Sequence, residues 1–171
     1  MKVLSIVQFG DPVLRQKTKP MPLAQIRSSQ IQKFIPLMFY TMRNIGVGLA
    51  APQVGLPLRL AVIEIKPLDP RLEVEPFPKT VVINPTILKY SKKQSPKWEG
   101  CLSLKNVAAE AMRSNSVTVH YWDEKGKPHT QQYTGFAAQV FQHEIDHLNG
   151  ILYVDRVKDI KTLVSTNHKF I

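Results

Sequence analysis

His143-Glu144-Ile145-Asp146-His147 sets two imidazoles four residues apart with a carboxylate between them. On a helix, positions i and i+4 share one face, one turn above the other. Two ring nitrogens placed this way can meet at one divalent metal, with Glu144 beside it to handle protons. A third ligand is then required, and the sole cysteine, Cys101, is available in Glu-Gly-Cys-Leu-Ser. One sulfur and two imidazoles leave a fourth position open for water, as catalytic sites do, whereas structural sites close with four protein ligands. The spare histidines lie elsewhere: His120 on a strand, His129 at a strand edge and His168 in the tail. Taken singly, a lone cysteine is ordinarily a small buried hydrophobe, and two helix histidines can simply face solvent.

The HExxH motif requires a helix. Thr134 is an N-cap candidate, Phe136, Val140, Ile145 and Leu148 supply an apolar face, and Asn149-Gly150 supplies the stop, so the motif falls on the C-terminal half of about four turns. An earlier helix is expected over residues 29–45. Ser29 and Gln32 have capping-box spacing, and Ile31, Phe34 or Ile35, Met38, Met42 and Ile45 recur on one face. Pro36 bends this helix and Gly46 ends it. Asp11-Pro12 reads as a cap followed by a first-turn proline. Residues 58–65 and 80–83 are β-rich, with a proline-containing loop insertion, residues 69–78, between them. Residues 116–122 alternate as a half-buried strand, joined through a Gly-containing turn at 123–128 to a strand at 129–133. Strands outnumber helices without alternating with them. The expected class is α+β, with mostly antiparallel sheets packed around a central metal-binding HExxH helix.

A chain of 171 residues suits one domain, residues 1–171, with room for a real core. No apolar run approaches the ~20 residues of a membrane helix, the N-terminus lacks the pattern of a signal peptide, and a single cysteine fits a reducing compartment; the expected location is cytoplasmic. Twenty-three Lys and Arg against thirteen Asp and Glu leave a net charge of +10. The basic residues are scattered, with no aromatic RNA-binding strand and no phosphate loop. That argues for a solvated basic surface first and a weak electrostatic contact with the ribosome second.

Three motifs, Gly46-Val47-Gly48-Leu49-Ala50-Ala51-Pro52-Gln53, Glu99-Gly100-Cys101-Leu102-Ser103 and Gln142-His143-Glu144-Ile145-Asp146-His147-Leu148-Asn149-Gly150, resemble those of peptide deformylase, in the same order. Phe9-Gly10-Asp11-Pro12-Val13-Leu14-Arg15 is similar to the family's opening segment, so the resemblance covers about residues 5 to 155. It implies a metal-dependent hydrolase that removes the formyl group from formyl-methionine at the N-terminus of newly made polypeptides. It further implies metal ligands Cys101, His143 and His147, with Glu144 as the general acid–base. The Gln53 side-chain amide and the Leu102 N–H would face the oxyanion. The backbone of Val47 and Gly48 would align the peptide, with Glu99 also at the substrate site. Phe136 and Val140, with the edge of His143, would line the methionine pocket, although as isolated residues both more often belong to a core. The implied native ion is Fe2+, with Zn2+, Ni2+ or Co2+ equally suited to thiolate and imidazole donors. Asp146 is expected to pair with Arg113 beside the site.

The chain departs from many relatives at Leu104-Lys105 after the cysteine motif, at Ala108, where an arginine is common near the cleft mouth, and at Lys97, an otherwise apolar position. Two other classes compete. An HExxH endopeptidase is weakened by Cys as third ligand. A non-catalytic RNA- or ribosome-binding scaffold is weakened by the presence of Glu144 and Gln53.

Overall fold

The computed structural model describes residues 2–66 and 74–166. Asp11 caps the first turn, accepting from the Val13 N–H at 2.9 Å, and a 3-10 turn follows at Pro12–Arg15. A short helix α1 (Leu23–Ile26) leads into α2 (Ser29–Met42). The cap of α2 is Ser28, one residue before the expected one, its side chain accepting from the Ile31 N–H at 3.4 Å. Ile31, Ile35, Met38 and Met42 form its buried face, with Pro36 inside the helix. The helix ends at Met42 rather than running to residue 45. Asn44 takes the left-handed conformation expected of Gly46, with φ of 64°, and Ile45 lies beyond the helix, 53% exposed.

Five strands, β1 (Gly48–Ala50), β2 (Leu60–Ile65), β3 (Phe77–Tyr90), β6 (Ser116–Trp122) and β7 (Pro128–Thr134), form an antiparallel sheet in the order β1-β2-β3-β6-β7. A second sheet has the order β4-β5-β8, from β4 (Gln94–Cys101), β5 (Leu104–Ser114) and β8 (Val164–Ser165). β2 is covered on both faces, which is why it reads as a nearly unbroken apolar run. Leu60 and Val62 pack with α2, while Ile63 and Ile65 pack with α3 (Gly135–Leu148) on the other side. Phe141 of α3 anchors that second layer. Its ring stacks on Tyr133 at 3.9 Å between centroids and meets Phe77 edge-on at 5.7 Å. Truncating a buried aromatic of this kind costs about 3–5 kcal/mol.

β3 is far longer than its expected core at 80–83. The chain passes Asn84-Pro85 by a bulge, with Asn84 at φ 51° and the register shifting between Ile83 and Thr86. The Asn84 side chain, freed by that bulge, clamps Met21 through its N–H and its carbonyl, each at 2.8 Å. Of the expected loop at 69–78, residues 69–73 lie outside those described, as does His168; residues 77–78 open β3. β4 and β5, absent from the pattern reading, build a hairpin whose two-residue turn is Leu102-Ser103. The helix α3 lies between the two sheets, in contact with strands of both. Thr134 stands at its N-cap without a side-chain cap bond, and Gly150, at φ 75°, follows its end.

Candidate metal centre

α3 and the β4–β5 hairpin bring the three candidate ligands together. The ligand atoms of Cys101, His143 and His147 all lie within 4.8 Å of one another. The two Nε2 atoms are 3.2 Å apart, and Cys101 Sγ is 3.3 Å from His147 Nε2. A tetrahedral ion held at usual zinc-like bond lengths would set such separations at roughly 3.3–3.6 Å. The donor set therefore fits one divalent ion with little movement.

His143 and Cys101 are oriented by hydrogen bonds, whereas His147 Nδ1 has no partner among the described residues. The His143 Nδ1–H donates to Glu99 Oε2 at 2.8 Å, a tautomer that leaves the lone pair on Nε2. Glu99 is gripped in turn by Arg113, through Nε at 2.7 Å and Nη2 at 2.9 Å. Burial would raise the Glu99 carboxyl, but the bonds from Arg113 and His143 hold it down at about 2. Arg113 also reaches Asp146 Oδ2 at 2.5 Å, as expected, and Asp146 takes two bonds from Arg156, an outer partner that no motif signals. Burial lowers the basicity of His147, so its ring stays neutral. For His143, burial is outweighed by Cys101 and Glu99, which raise it; the groups that favour a proton there favour a metal cation too. Cys101 sits at the hairpin corner and accepts from the Ser103 N–H at 3.4 Å. Ser103, fully buried, is a site residue that the spacing argument missed.

Glu144 is buried on α3 against β1. A Cβ built on Gly48 would fall 2.1 Å from Glu144 Oε1, so only glycine leaves room for the carboxylate. Burial pushes the Glu144 carboxyl up to about 7, and among the described residues Oε2 has no hydrogen-bond partner. A poised, unsatisfied carboxyl beside a cation site is a strong signature of proton transfer. Gln53 follows β1 in a 3-10 turn at Ala51–Val54. Its Oε1 accepts from the Ala50 N–H at 2.8 Å, which aims Nε2 toward Cys101 Sγ at 3.4 Å and Ser103 Oγ at 3.5 Å.

A cleft of about 450 Å³ opens over these groups. Val47, Gly48, Gln53, Leu102, Phe136, Val140, His143 and Glu144 all line it, so the expected peptide-aligning, oxyanion and methionine-pocket residues share one cavity. Glu99 lines it too, with its carboxylate committed to Arg113 and His143. Ala108 borders the cleft while being only 3% exposed; Lys97 is not among its lining residues.

A sequence model of the polypeptide deformylase family matches residues 3–163. The peptide deformylase of Brucella suis biovar 1 is 42% identical over 162 residues, which cover 94% of this chain and 88% of that one. Peptide deformylase 1 of Bifidobacterium longum is 42% identical, covering 98% of this chain and 78% of its own. Among solved structures, the Met-Ala-Ser-bound class I type b peptide deformylase of Acinetobacter baumannii superposes with a TM-score of 0.86 at 33% identity, covering 91% of this chain and 99% of that one. The Synechococcus elongatus peptide deformylase in complex with actinonin gives a TM-score of 0.81 at 38% identity, covering 91% and 79%. The α+β class and the antiparallel sheets expected from the sequence are those of these structures. With its fold, its matched length and its Cys–His–His cluster alike, the chain belongs to the polypeptide deformylases, metal-dependent hydrolases that remove the N-formyl group from the N-terminal methionine of nascent peptides.

Proposed function

We propose that this chain performs deformylation with Glu144 as general acid–base, Cys101, His143 and His147 as the ligands of one divalent ion, and Gln53 and Leu102 as oxyanion donors. The convergence of those three ligand atoms beside the buried Glu144 carboxyl carries the reading. When bound, the ion polarises the formyl carbonyl and makes an attacking water acidic enough to react near neutral pH. Glu144 takes the proton released as water adds to the formyl carbon. It returns that proton to the methionine nitrogen as the C–N bond breaks, so formate and a free α-amine leave. A carboxyl near 7 is suited to both halves of that exchange. Gln53 Nε2, with its carbonyl already anchored on Ala50, and the Leu102 N–H at the hairpin turn meet the negative charge that develops on the formyl oxygen.

The peptide backbone lies along the main chain of Val47 and Gly48. Methionine enters between Phe136 and Val140, beside Glu99 and His143. The Met-Ala-Ser bound to the Acinetobacter relative supports methionine followed by small residues as the product bound here. We assign Fe2+ as the native ion, residues 1–171 as one catalytic domain, the cytoplasm as its location, and a weak electrostatic contact with the ribosome to the +10 charge. Among the described residues no helix is long and apolar enough to cross a membrane.

Formate release from formyl-Met-Ala-Ser by anaerobically purified protein, with metal analysis of the same sample, tests the whole reading. Wild type should turn over with about one ion per chain, and Glu144→Gln should keep the ion while losing ~10²–10⁴-fold in kcat. Undiminished turnover in that variant would remove Glu144 from its role. Iron below the other transition metals in active anaerobic samples would overturn the Fe2+ assignment.

A further inference from the structure

Three consecutive residues near the start of the chain bridge the two segments that carry the proposed oxyanion donors. The Val7 N–H donates to Gln53 O at 2.9 Å, and the Phe9 N–H donates to Ser103 O at 2.8 Å. Between them Gln8, half-buried, reaches Leu102 O with its side-chain Nε2 at 3.0 Å. Ile6 O and Val7 O lie farther from that nitrogen, each at 3.5 Å. Val7 and Phe9 act through the main chain, so any residue but proline would serve there. Only the link made by Gln8 depends on a side chain. Since its neighbours already tether the segment, the Gln8 amide adds something other than attachment.

What it adds lies at the corner of the hairpin, in the peptide unit between Leu102 and Ser103. That unit is gripped at both ends: its carbonyl accepts from Gln8, and its N–H donates to Cys101 Sγ at 3.4 Å. A peptide unit is planar, so fixing the carbonyl fixes where the N–H points. A carbonyl that accepts a hydrogen bond also makes its own amide a stronger donor. Hydrogen bonds to a ligand sulfur in turn weaken its electron donation and adjust the ion it holds. The adjoining peptide unit carries the Leu102 N–H, so the tilt of the corner sets the aim of that donor as well. Resting on the reading of Cys101 as ligand and Leu102 as oxyanion donor, we propose that Gln8 is a positioning residue for deformylation. It holds the Leu102–Ser103 peptide so that one amide meets the ligand sulfur and its neighbour meets the oxyanion.

The test uses Gln8→Met, which keeps the length and removes the donor, and Gln8→Asn, whose amide is one methylene too short. Each variant is loaded with Co2+ and compared with wild type in its thiolate-to-metal charge-transfer band, and in kcat and KM for formyl-Met-Ala-Ser. Loss of the N–H···S bond raises the sulfur lone pair, so the band should move to longer wavelength in both variants. In both, kcat should fall ~10-fold with KM within ~2-fold, because the contacts that bind the peptide are untouched. An unmoved band or an unchanged kcat overturns the proposal. Should Gln8→Met melt far below wild type, Gln8→Asn decides alone. The failures are distinct: a wild type without a thiolate–cobalt band, or without formate release, overturns the reading beneath, and this proposal with it, before any variant is compared.

Discussion

Gly48 shows how much a single missing methyl group can control. Its Cα faces the Glu144 carboxyl so closely that a Cβ would lie 2.1 Å from one oxygen and 2.6 Å from the carboxyl carbon. Both partners are constrained, one by β1 pairing to β2 at Ile63 and the other by a packed helix. Gly48→Ala should therefore displace the carboxyl and cost ~10²-fold or more in kcat. Metal content should stay near that of wild type, because no ligand is touched; full activity in Gly48→Ala would show that the carboxyl can move without consequence. From the motif alone, Gly48 was expected to serve the substrate backbone. That it also makes room for the Glu144 carboxyl depends on β1 and α3 meeting, which no local pattern reports.

At the level of elements, the HExxH helix was legible because its period, its apolar face and its Asn-Gly stop all agree, and α3 ends where they say. The β4–β5 hairpin was not. β4 is an edge strand with half of its residues exposed, and its Pro96 and Lys97 give no alternating apolar signal. Yet that hairpin delivers Cys101, Glu99, Ser103 and Arg113. Neutral bonds from Gln139 and Gln142 tie it to α3, and an ionic link adds to them: Arg113, 3% exposed, joins Glu99 of β4 to Asp146 of the helix. Removing one partner of a buried ion pair strands the others at a cost of about 3–5 kcal/mol. Arg113→Ala should lower stability by that order in denaturant unfolding, and weaken metal affinity as His143 loses its oriented acceptor. A variant with wild-type stability and metal affinity would mean that packing alone positions the hairpin.

For the molecule as a whole, charge and architecture act separately. The fold is set by apolar layers on both faces of β2, while exposed lysines such as Lys89, Lys92 and Lys93 cluster where β3 turns into β4. The proposed ribosome contact belongs to that surface field and should be screened beyond about 10 Å at 0.1 M salt. Cosedimentation with ribosomes is expected at low salt and should fall steeply as salt rises; its absence at low salt would end the idea.

Alone, the order of residues determined the candidate ligand types, their i, i+4 spacing, the β-rich run at 58–65 and the family likeness, since each depends on neighbours along the chain. Which sulfur faces which imidazole, why Glu144 needs a glycine opposite it, and how β8 pairs with β5 were decided in three dimensions. Those contacts join residues 46, 56 and 96 positions apart, and their energies arise only once two sheets have closed on one helix.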